Sequence, residues 1–559
     1  MTQTTIFSAD GGARPASLLT VIAASAAGTT FEWYDFFTFG ALTPIIAKNF
    51  FSALDPTASL LAALALFGAG FFFRPIGALI FGRIGDTLGR KGAFLITVSL
   101  MGGATFAIGL LPTWAQAGPV SPLLLILMRA IQGTALGGEY GGAAIYVAEH
   151  APAGRRGFLT AWIQGSGAAG LVGALAVIAA VRALMGDTAF ESAGWLGGWR
   201  APFLVSAGLL AISIWMRLKL TESPAFAHLK AAGTRTRAPW GEAFAQWRNL
   251  KVVLIALVAL MSAQGAAWYA IFFYAVQVFL QRFLKLEAAT GGELLLAISI
   301  ASAPLYVFFG WLSDKLGRKW VMWFGMTLAL VAFFPAFHAM TGLANPALEA
   351  AQSRTPVVVI ADPRRCSLQF DVLGRKTFAT SCDIAKSTLA NAGISYANRA
   401  APAGAVATVE IGTSLIASRE GQGLSPPALK AATADVAGRL MAGLRAAGYP
   451  TRADPAAVNF WGLFGVLMIF VVAATALYGP QAAALVELFP TRIRYTALSL
   501  PYHIGTGWVG GFVPVTAFAI VTATGDIYSG LWYPVIFTAI SVFTLPFLLP
   551  ETRGRAIES

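Results

Sequence analysis

Charge is scarce in this chain of 559 residues: Asp, Glu, Lys and Arg together make up 12% of it, about half the share usual in a soluble domain. A water-soluble fold of this size would need far more charge at its surface, so much of that surface faces lipid. Cysteine is nearly absent, with Cys366 and Cys382 alone, and no Cys/His spacing resembles a metal site. No Gly-x-x-x-x-Gly-Lys loop occurs, which argues against ATP as a driving force. No nucleophile–base constellation appears either, so the chain is not expected to be an enzyme or to hold a cofactor. The net charge of +13 invites a nucleic-acid reading. That reading fails because the basic residues fall in short clusters between apolar runs, the pattern of membrane-protein loops.

Long apolar runs are what the chain has instead. A spanning helix needs about 20 mostly apolar residues. Twelve such segments can be marked, at 19–46, 58–81, 92–112, 121–148, 158–184, 200–219, 252–281, 293–312, 321–340, 459–479, 494–523 and 529–549. The start of the first, behind Arg14, has the look of a signal peptide, but apolar character resumes from Phe36 to Ile46, so a single full span fits better. With twelve spans, Arg14, Arg83, Arg90, Lys91, Arg155, Arg156, the basic 217–251 loop, Lys315, Arg318, Lys319, Arg492, Arg494, Arg553 and Arg555 all fall on one side. The positive-inside rule makes that side the cytoplasm and puts both termini there, in a cytoplasmic (inner) membrane.

An internal repeat supports the same count. Residues 82–91 read Gly-Arg-Ile-Gly-Asp-Thr-Leu-Gly-Arg-Lys and residues 310–319 read Gly-Trp-Leu-Ser-Asp-Lys-Leu-Gly-Arg-Lys, each copy following the second span of a half. Two parallel six-helix halves are the expected result. A third partial copy, Asp371 to Lys376, has no apolar helix before it and is read as chance.

The expected fold is an all-α polytopic membrane protein of twelve transmembrane helices in two six-helix halves, with a small α+β insert between helices 9 and 10. Its parts are an N-terminal half (1–219), a cytoplasmic central loop (220–250), helices 7–9 (251–340), an extracytoplasmic inserted domain (341–458), and helices 10–12 with the tail (459–559). The insert holds 20 charged residues in 118 and no span. Within it, Pro356–Ala361 and Val406–Ile416 read as strands. Asp383–Ala392 and Pro427–Ala447 read as helices, the second with an apolar stripe of Leu429, Ala432, Val436, Leu440 and Leu444. Cys366 and Cys382 both fall here, where an extracytoplasmic compartment permits disulfides, and a bond between them is expected.

Several motifs now carry a resemblance. They are Glu32-Trp33-Tyr34-Asp35-Phe36; Arg74-Pro75-Ile76-Gly77; Arg129-x-x-Gln132-Gly133 followed by Gly137-Gly138-Glu139-Tyr140-Gly141; Trp199-Arg200-x-Pro202-Phe203; and Pro550-Glu551-Thr552. The chain resembles the major facilitator superfamily, and within it the metabolite:proton symporter family, whose members carry shikimate, 2-oxoglutarate, citrate, proline or betaine. The resemblance covers nearly all of 17–340 and 459–559. The insert departs from it, because the family's connection there is short.

Charges kept inside spans are costly, about 2.5–3.5 kcal/mol each at mid-bilayer, and so point to a polar cavity. Glu32 and Asp35 lie three apart on one helix face, and Arg129 and Gln132 do likewise. Arg74 or Arg129 would pair with an anionic substrate group. Asp35 or Glu32 would take up the coupling proton, with Glu139 and His503 as further proton-coupling candidates. Tyr34, Gln132, Gln264, Trp268 and Tyr502 complete the candidate substrate-binding set. A static ion-pair network, for example Asp35 with Arg129, is the alternative. The glycines at 137, 138, 141 and 142 read as close helix packing. The resemblance gives the repeat loops a gating role. It implies that Asp86 and Asp314 meet a helix end in the other half, while Arg90 and Arg318 pair with acids where Glu149 and Glu487 sit.

The expected function is proton-coupled symport of a small polar metabolite, an organic acid or a zwitterionic osmolyte, with the proton gradient as the driving force. The partners expected are that substrate, protons and the lipid bilayer, with room for an extracytoplasmic partner at 341–458 and no nucleic acid. A proton-coupled exporter or antiporter on the same fold remains open, as does a transporter-like sensor using the insert.

Overall fold

A computed structural model of the protein describes residues 18–53, 56–370 and 377–557. The partial repeat copy at Asp371–Lys376 and the basic residue Arg14 lie outside the described residues. Twelve spans run as Leu18–Phe50, Pro56–Thr87, Arg90–Leu110, Val120–His150, Ala153–Met185, Gly198–Leu218, Trp247–Phe283, Ala288–Leu316, Arg318–Ala344, Phe460–Leu488, Arg494–Thr524 and Ser529–Leu548, numbered 1 to 12 below. Ten of them, spans 3 to 12, are long and apolar enough to cross a membrane. Span 1 has the length, at 33 residues, but Glu32 and Asp35 dilute its apolar character. Outward-facing side chains such as Val331, Phe543 and Phe547 are widely exposed, as a lipid-facing surface requires. Exposed tryptophans sit near the span ends, Trp215, Trp247 and Trp320 on one face and Trp461 and Trp532 on the other, in the manner of interfacial aromatic belts. The face carrying the repeat loops is called the motif face here, and the opposite one the insert face.

The repeat explains its own glycines. Gly89 and Gly317 occupy the eighth position of each copy, and both turn the chain at positive φ, 126° and 105°, where a side chain would be strained. At the first position, a Cβ on Gly310 would lie 2.5 Å from the Gly157 carbonyl, and one on Gly82 would lie 2.7 Å from the Thr496 backbone. Each copy thus begins at a close contact between halves. Span 2 packs along span 11, and span 5 along span 8.

The segment between spans 9 and 10 folds as a four-stranded sheet with helices. Strands β1 (Val357–Ala361), β2 (Ala397–Ala400), β3 (Thr408–Ile411) and β4 (Ser414–Ala417) lie in the order β2-β1-β3-β4. β1 and β2 are parallel, joined by the helix Ser381–Asn391, and the other pairs are antiparallel. The single strand expected over 406–416 is a hairpin. Gly412 at φ 59° turns the chain between paired Ile411 and Ser414, the left-handed geometry a two-residue hairpin needs. Strand β2 was not expected: its four residues are all exposed and show no apolar alternation. A further helix, Pro346–Arg354, starts from the Asn345 side chain, which accepts the Leu348 N–H, with proline suited to the first turn. In the helix Pro426–Ala446, Ala432, Val436, Leu440 and Leu444 are buried. Cys366 and Cys382 form a disulfide.

Candidate functional site

Spans 1, 2, 3 and 4 enclose a small cavity of about 20 Å³ in the first half. Glu32, Asp35, Arg74, Arg129 and Gln132 all line it. A hydrogen-bonded chain runs through its wall. Arg129 Nη1 donates to Gln132 Oε1 (3.0 Å), Gln132 Nε2 to Thr105 Oγ1 (2.7 Å), and Thr105 Oγ1 to Asp35 Oδ2 (2.6 Å). Thr105 is the link that the sequence did not single out. Both guanidinium groups lie over aromatic rings, Arg74 over Phe71 at 4.5 Å and Arg129 over Phe39 at 4.1 Å, a favourable seat for a weakly hydrated cation. Gly70 makes room, since a Cβ there would come within 3.0 Å of Arg129.

The second half closes over this cavity with aromatic rings. Trp33 meets Trp268 at 5.2 Å, and Phe71 meets Tyr269 at 5.6 Å. Tyr140 stacks on Tyr502 at 3.7 Å, and the Tyr502 and Tyr478 hydroxyls share a hydrogen bond of 2.6 Å. Trp268 Nε1 donates to Tyr306 (3.1 Å), and Gln164 Nε2 to Tyr140 (3.0 Å). Gln264 Oε1 is buried without a hydrogen bond among the described residues. Buried polar groups are rarely left so, and this oxygen offers a partner to a polar guest. The Gln481 amide lies against the Tyr140 hydroxyl, and the His503 ring against the Gly137 backbone. Gln481, Tyr306 and Gln164 join the candidate set from the geometry.

Two expected members point elsewhere. Tyr34 donates to the Pro202 carbonyl (2.8 Å) and so ties span 1 to span 6. Glu139 is fully buried and does not line the cavity, being paired with Arg217 Nη2 and accepting from Thr97 Oγ1 (2.9 Å), though its charge still reaches Glu32. Arg217 stands at the far end of span 6, which is why sequence spacing did not couple the two.

At the motif face the two halves are bolted twice. Asp86 accepts the Tyr495 and Thr496 N–H groups at the start of span 11 (3.1 and 2.9 Å). Asp314 accepts those of Gly157 and Phe158 at the start of span 5 (3.0 and 2.7 Å). An anion at a helix N-terminus meets free N–H donors and the positive end of the dipole. Arg90 pairs with Asp86 (2.8 Å) and Arg318 with Asp314 (2.6 Å). Glu149 pairs across the halves with Arg494 (2.6 Å), and Glu487 lies between Arg318 (3.3 Å) and Arg156 (3.6 Å). Glu222 and Glu551 hold equivalent places: the first accepts the Arg90 and Lys91 N–H groups, the second those of Arg318 and Lys319. Glu222 was not picked out from the sequence.

This arrangement of paired bolts below a cavity in the first half sits on twelve spans. The family model for the sugar (and other) transporters matches residues 20–238, 227–361 and 432–559.

The chain belongs to that family.

Curated relatives include the shikimate transporter of Escherichia coli, 36% identical over 56% of this chain and 71% of the relative. The citrate-proton symporter of Klebsiella pneumoniae is 35% identical over 60% and 72%. The proline/betaine transporter of Salmonella typhimurium is 33% identical over 56% and 63%, so the match spans less than two thirds of that relative's length. Among solved structures, a double-tryptophan mutant of XylE superposes with a TM-score of 0.62 at 14% identity, covering 97% of this chain and 98% of that one. The major facilitator superfamily proton:xylose symporter XylE, bound to 6-bromo-6-deoxy-D-glucose, gives 0.55 at 17%, with the same coverage of each chain. These structural likenesses establish the major facilitator fold.

Proposed function

We propose that this transporter is a proton-coupled symporter of a small polar metabolite bearing a carboxylate. The observation that carries the reading is the chain Arg129–Gln132–Thr105–Asp35, which joins a fixed cation to a carboxylate in the wall of one cavity. Arg74 and Glu32 add a second pair of opposite charges to that cavity. A guanidinium binds a substrate carboxylate in bidentate fashion. A carboxylate in the same cavity can be discharged by a proton, so that the loaded site crosses without excess charge. Thr105 couples the two events, because its hydroxyl donates to Asp35 and accepts from Gln132. The relatives named as shikimate, citrate-proton and proline/betaine transporters support this class.

The motif face is cytoplasmic in this reading, since the loop bases gather there, and both termini lie on that side of the inner membrane. The insert and its disulfide are then extracytoplasmic. With the motif-face bolts closed, release to the cytoplasm requires both to break as the halves rock.

The test is uptake of labelled 2-oxoglutarate, citrate, shikimate, proline and betaine into proteoliposomes, with and without an inward proton gradient. Accumulation of one compound only with the gradient supports symport. Efflux driven by the gradient replaces symport with antiport, and no flux of any compound through folded protein removes the reading.

A further inference from the structure

The insert grips the ends of two particular spans. At the insert face, span 11 ends with four consecutive carbonyls that have no partner within the helix. Tyr396 Oη donates to the Thr522 carbonyl (2.5 Å), Lys386 Nζ to that of Ala523 (3.2 Å), Asn398 Nδ2 to that of Thr524 (2.6 Å), and the Tyr396 N–H to that of Gly525 (2.7 Å). Lys386 thereby puts a cation at the negative end of the helix dipole. Span 7 is held in the same way. Asn345 Nδ2 donates to the Leu284 carbonyl (3.0 Å), and the Ala453 N–H to that of Lys285 (3.1 Å). Gly393 presses on the same turn, where a Cβ would lie 2.1 Å from the Phe283 carbonyl.

Spans 7 and 11 are also where the second half is least regular. Span 7 is π-helical over Ala256–Met261 and Ala270–Phe283, and span 11 over Ile504–Gly510. A π-helical stretch is rare and, where it occurs, is frequently at a functional site. Its i→i+5 bonding shifts the register of every residue that follows, so fixing one end of the helix bears on the register the rest adopts. The two spans touch at mid-length, where a Cβ on Gly265 would lie 1.9 Å from the Gly505 carbonyl. They carry Gln264 and Trp268, and Tyr502 and His503.

We propose that the insert is a positioning domain for the second half of the site: by capping spans 7 and 11 together it holds their π-helical segments in the register that points Gln264, Trp268, Tyr502 and His503 at the substrate. Lys386, Asn398 and Tyr396 are its positioning residues. They reach the site only through the helix they cap. The effect on substrate rests on the transport reading above; the effect on helix register does not.

The experiment compares full-length protein in proteoliposomes with the Lys386→Ala/Asn398→Ala variant and with Tyr396→Phe, which removes a single oxygen and leaves the ring packed. Amide exchange is read at 504–510 and 262–270, far from the cap, and at 520–525 beside it. The proposal expects exchange at 504–510 to rise roughly fivefold, the KM of the transported compound to rise with kcat nearly unchanged, and Lys386→Arg to restore both. Faster exchange confined to 520–525, with 504–510 and KM unmoved, overturns it. If no compound of the panel is transported, the transport reading falls, and exchange at 504–510 alone decides the positioning role.

Discussion

Asp86 in the first half accepts the backbone N–H of Tyr495 in the second at 3.1 Å, and its other oxygen takes the neighbouring N–H of Thr496 at 2.9 Å. Asp86→Asn keeps the shape but turns one acceptor into a donor that faces an N–H. Hydrogen bonds to a charged group are worth about 1.5–3 kcal/mol, so the balance should move roughly tenfold or more toward the state open at the motif face. Both native cysteines are in the disulfide, so Ser499→Cys, at a fully buried position, supplies a single free thiol. Labelling of that thiol by an impermeant maleimide applied to the motif face should speed up in the Asp86→Asn background. An unchanged rate would mean that these contacts do not set the balance between the two states.

Arg217 and Glu139 form an ion pair with side chains about 1% exposed. Removing one partner strands a buried charge, which costs about 3–5 kcal/mol, whereas neutralising both is far milder. Arg217→Gln should therefore lower the midpoint of thermal unfolding, and Arg217→Gln/Glu139→Gln should recover most of the loss. The double variant should keep gradient-driven uptake. Loss of proton coupling with stability intact would instead place Glu139 on the proton path.

Asp35→Asn should separate coupling from binding. The amide oxygen still accepts from Thr105, so the chain to Gln132 and Arg129 survives, but no proton can be carried. Counterflow exchange of substrate should persist while accumulation against a gradient is lost. Thr105→Val breaks the chain at both its bonds and, at about 1 kcal/mol per hydrogen bond, should reduce uptake roughly thirtyfold. Accumulation by Asp35→Asn at the parental rate would move the proton site to Glu32.

How far these relationships could be read in advance depended on their chemical origin. The bolts were legible because a turn glycine, an acid and a base recur at fixed spacing, and Gly89 and Gly317 take the positive φ that only that pattern explains. Charges in apolar spans were legible because lipid makes them expensive. Thr105 was not, since a hydroxyl on an apolar helix ordinarily satisfies itself on its own backbone (here the Met101 carbonyl, 3.0 Å away, competes with Asp35 for its one proton), and nothing in the spacing reveals the other partner. Arg217 hid for a similar reason: at a span end it reads as a loop base, and its pairing arises from helix packing. Tyr34 shared a motif with Asp35 but faces span 6, because neighbours in a helix point about 100° apart. Strand β2 exists through pairing with β1 and its hold on span 11, neither of which is local.

Lys285 offers a pH test of the seam between span 7 and the insert. It sits at φ 61°, and its carbonyl accepts from Ala453. Burial first, and Arg282 beside it second, pull its ammonium from the ordinary 10.5 down to about 8. The folded state therefore releases this proton at a lower pH than the unfolded chain does. Between about 8 and 10.5 the unfolded state holds more protons, so this group's contribution to stability rises with pH through that window and is unfavourable below it. Lys285→Asn removes the charge and places a residue tolerant of left-handed backbone. The variant should unfold at a higher temperature than the parent near pH 7. That advantage should shrink as pH rises toward 10, where the parent's lysine is neutral in the fold. A difference in unfolding temperature that stays constant with pH would mean that Lys285 keeps its charge in solvent and that the gain is conformational alone.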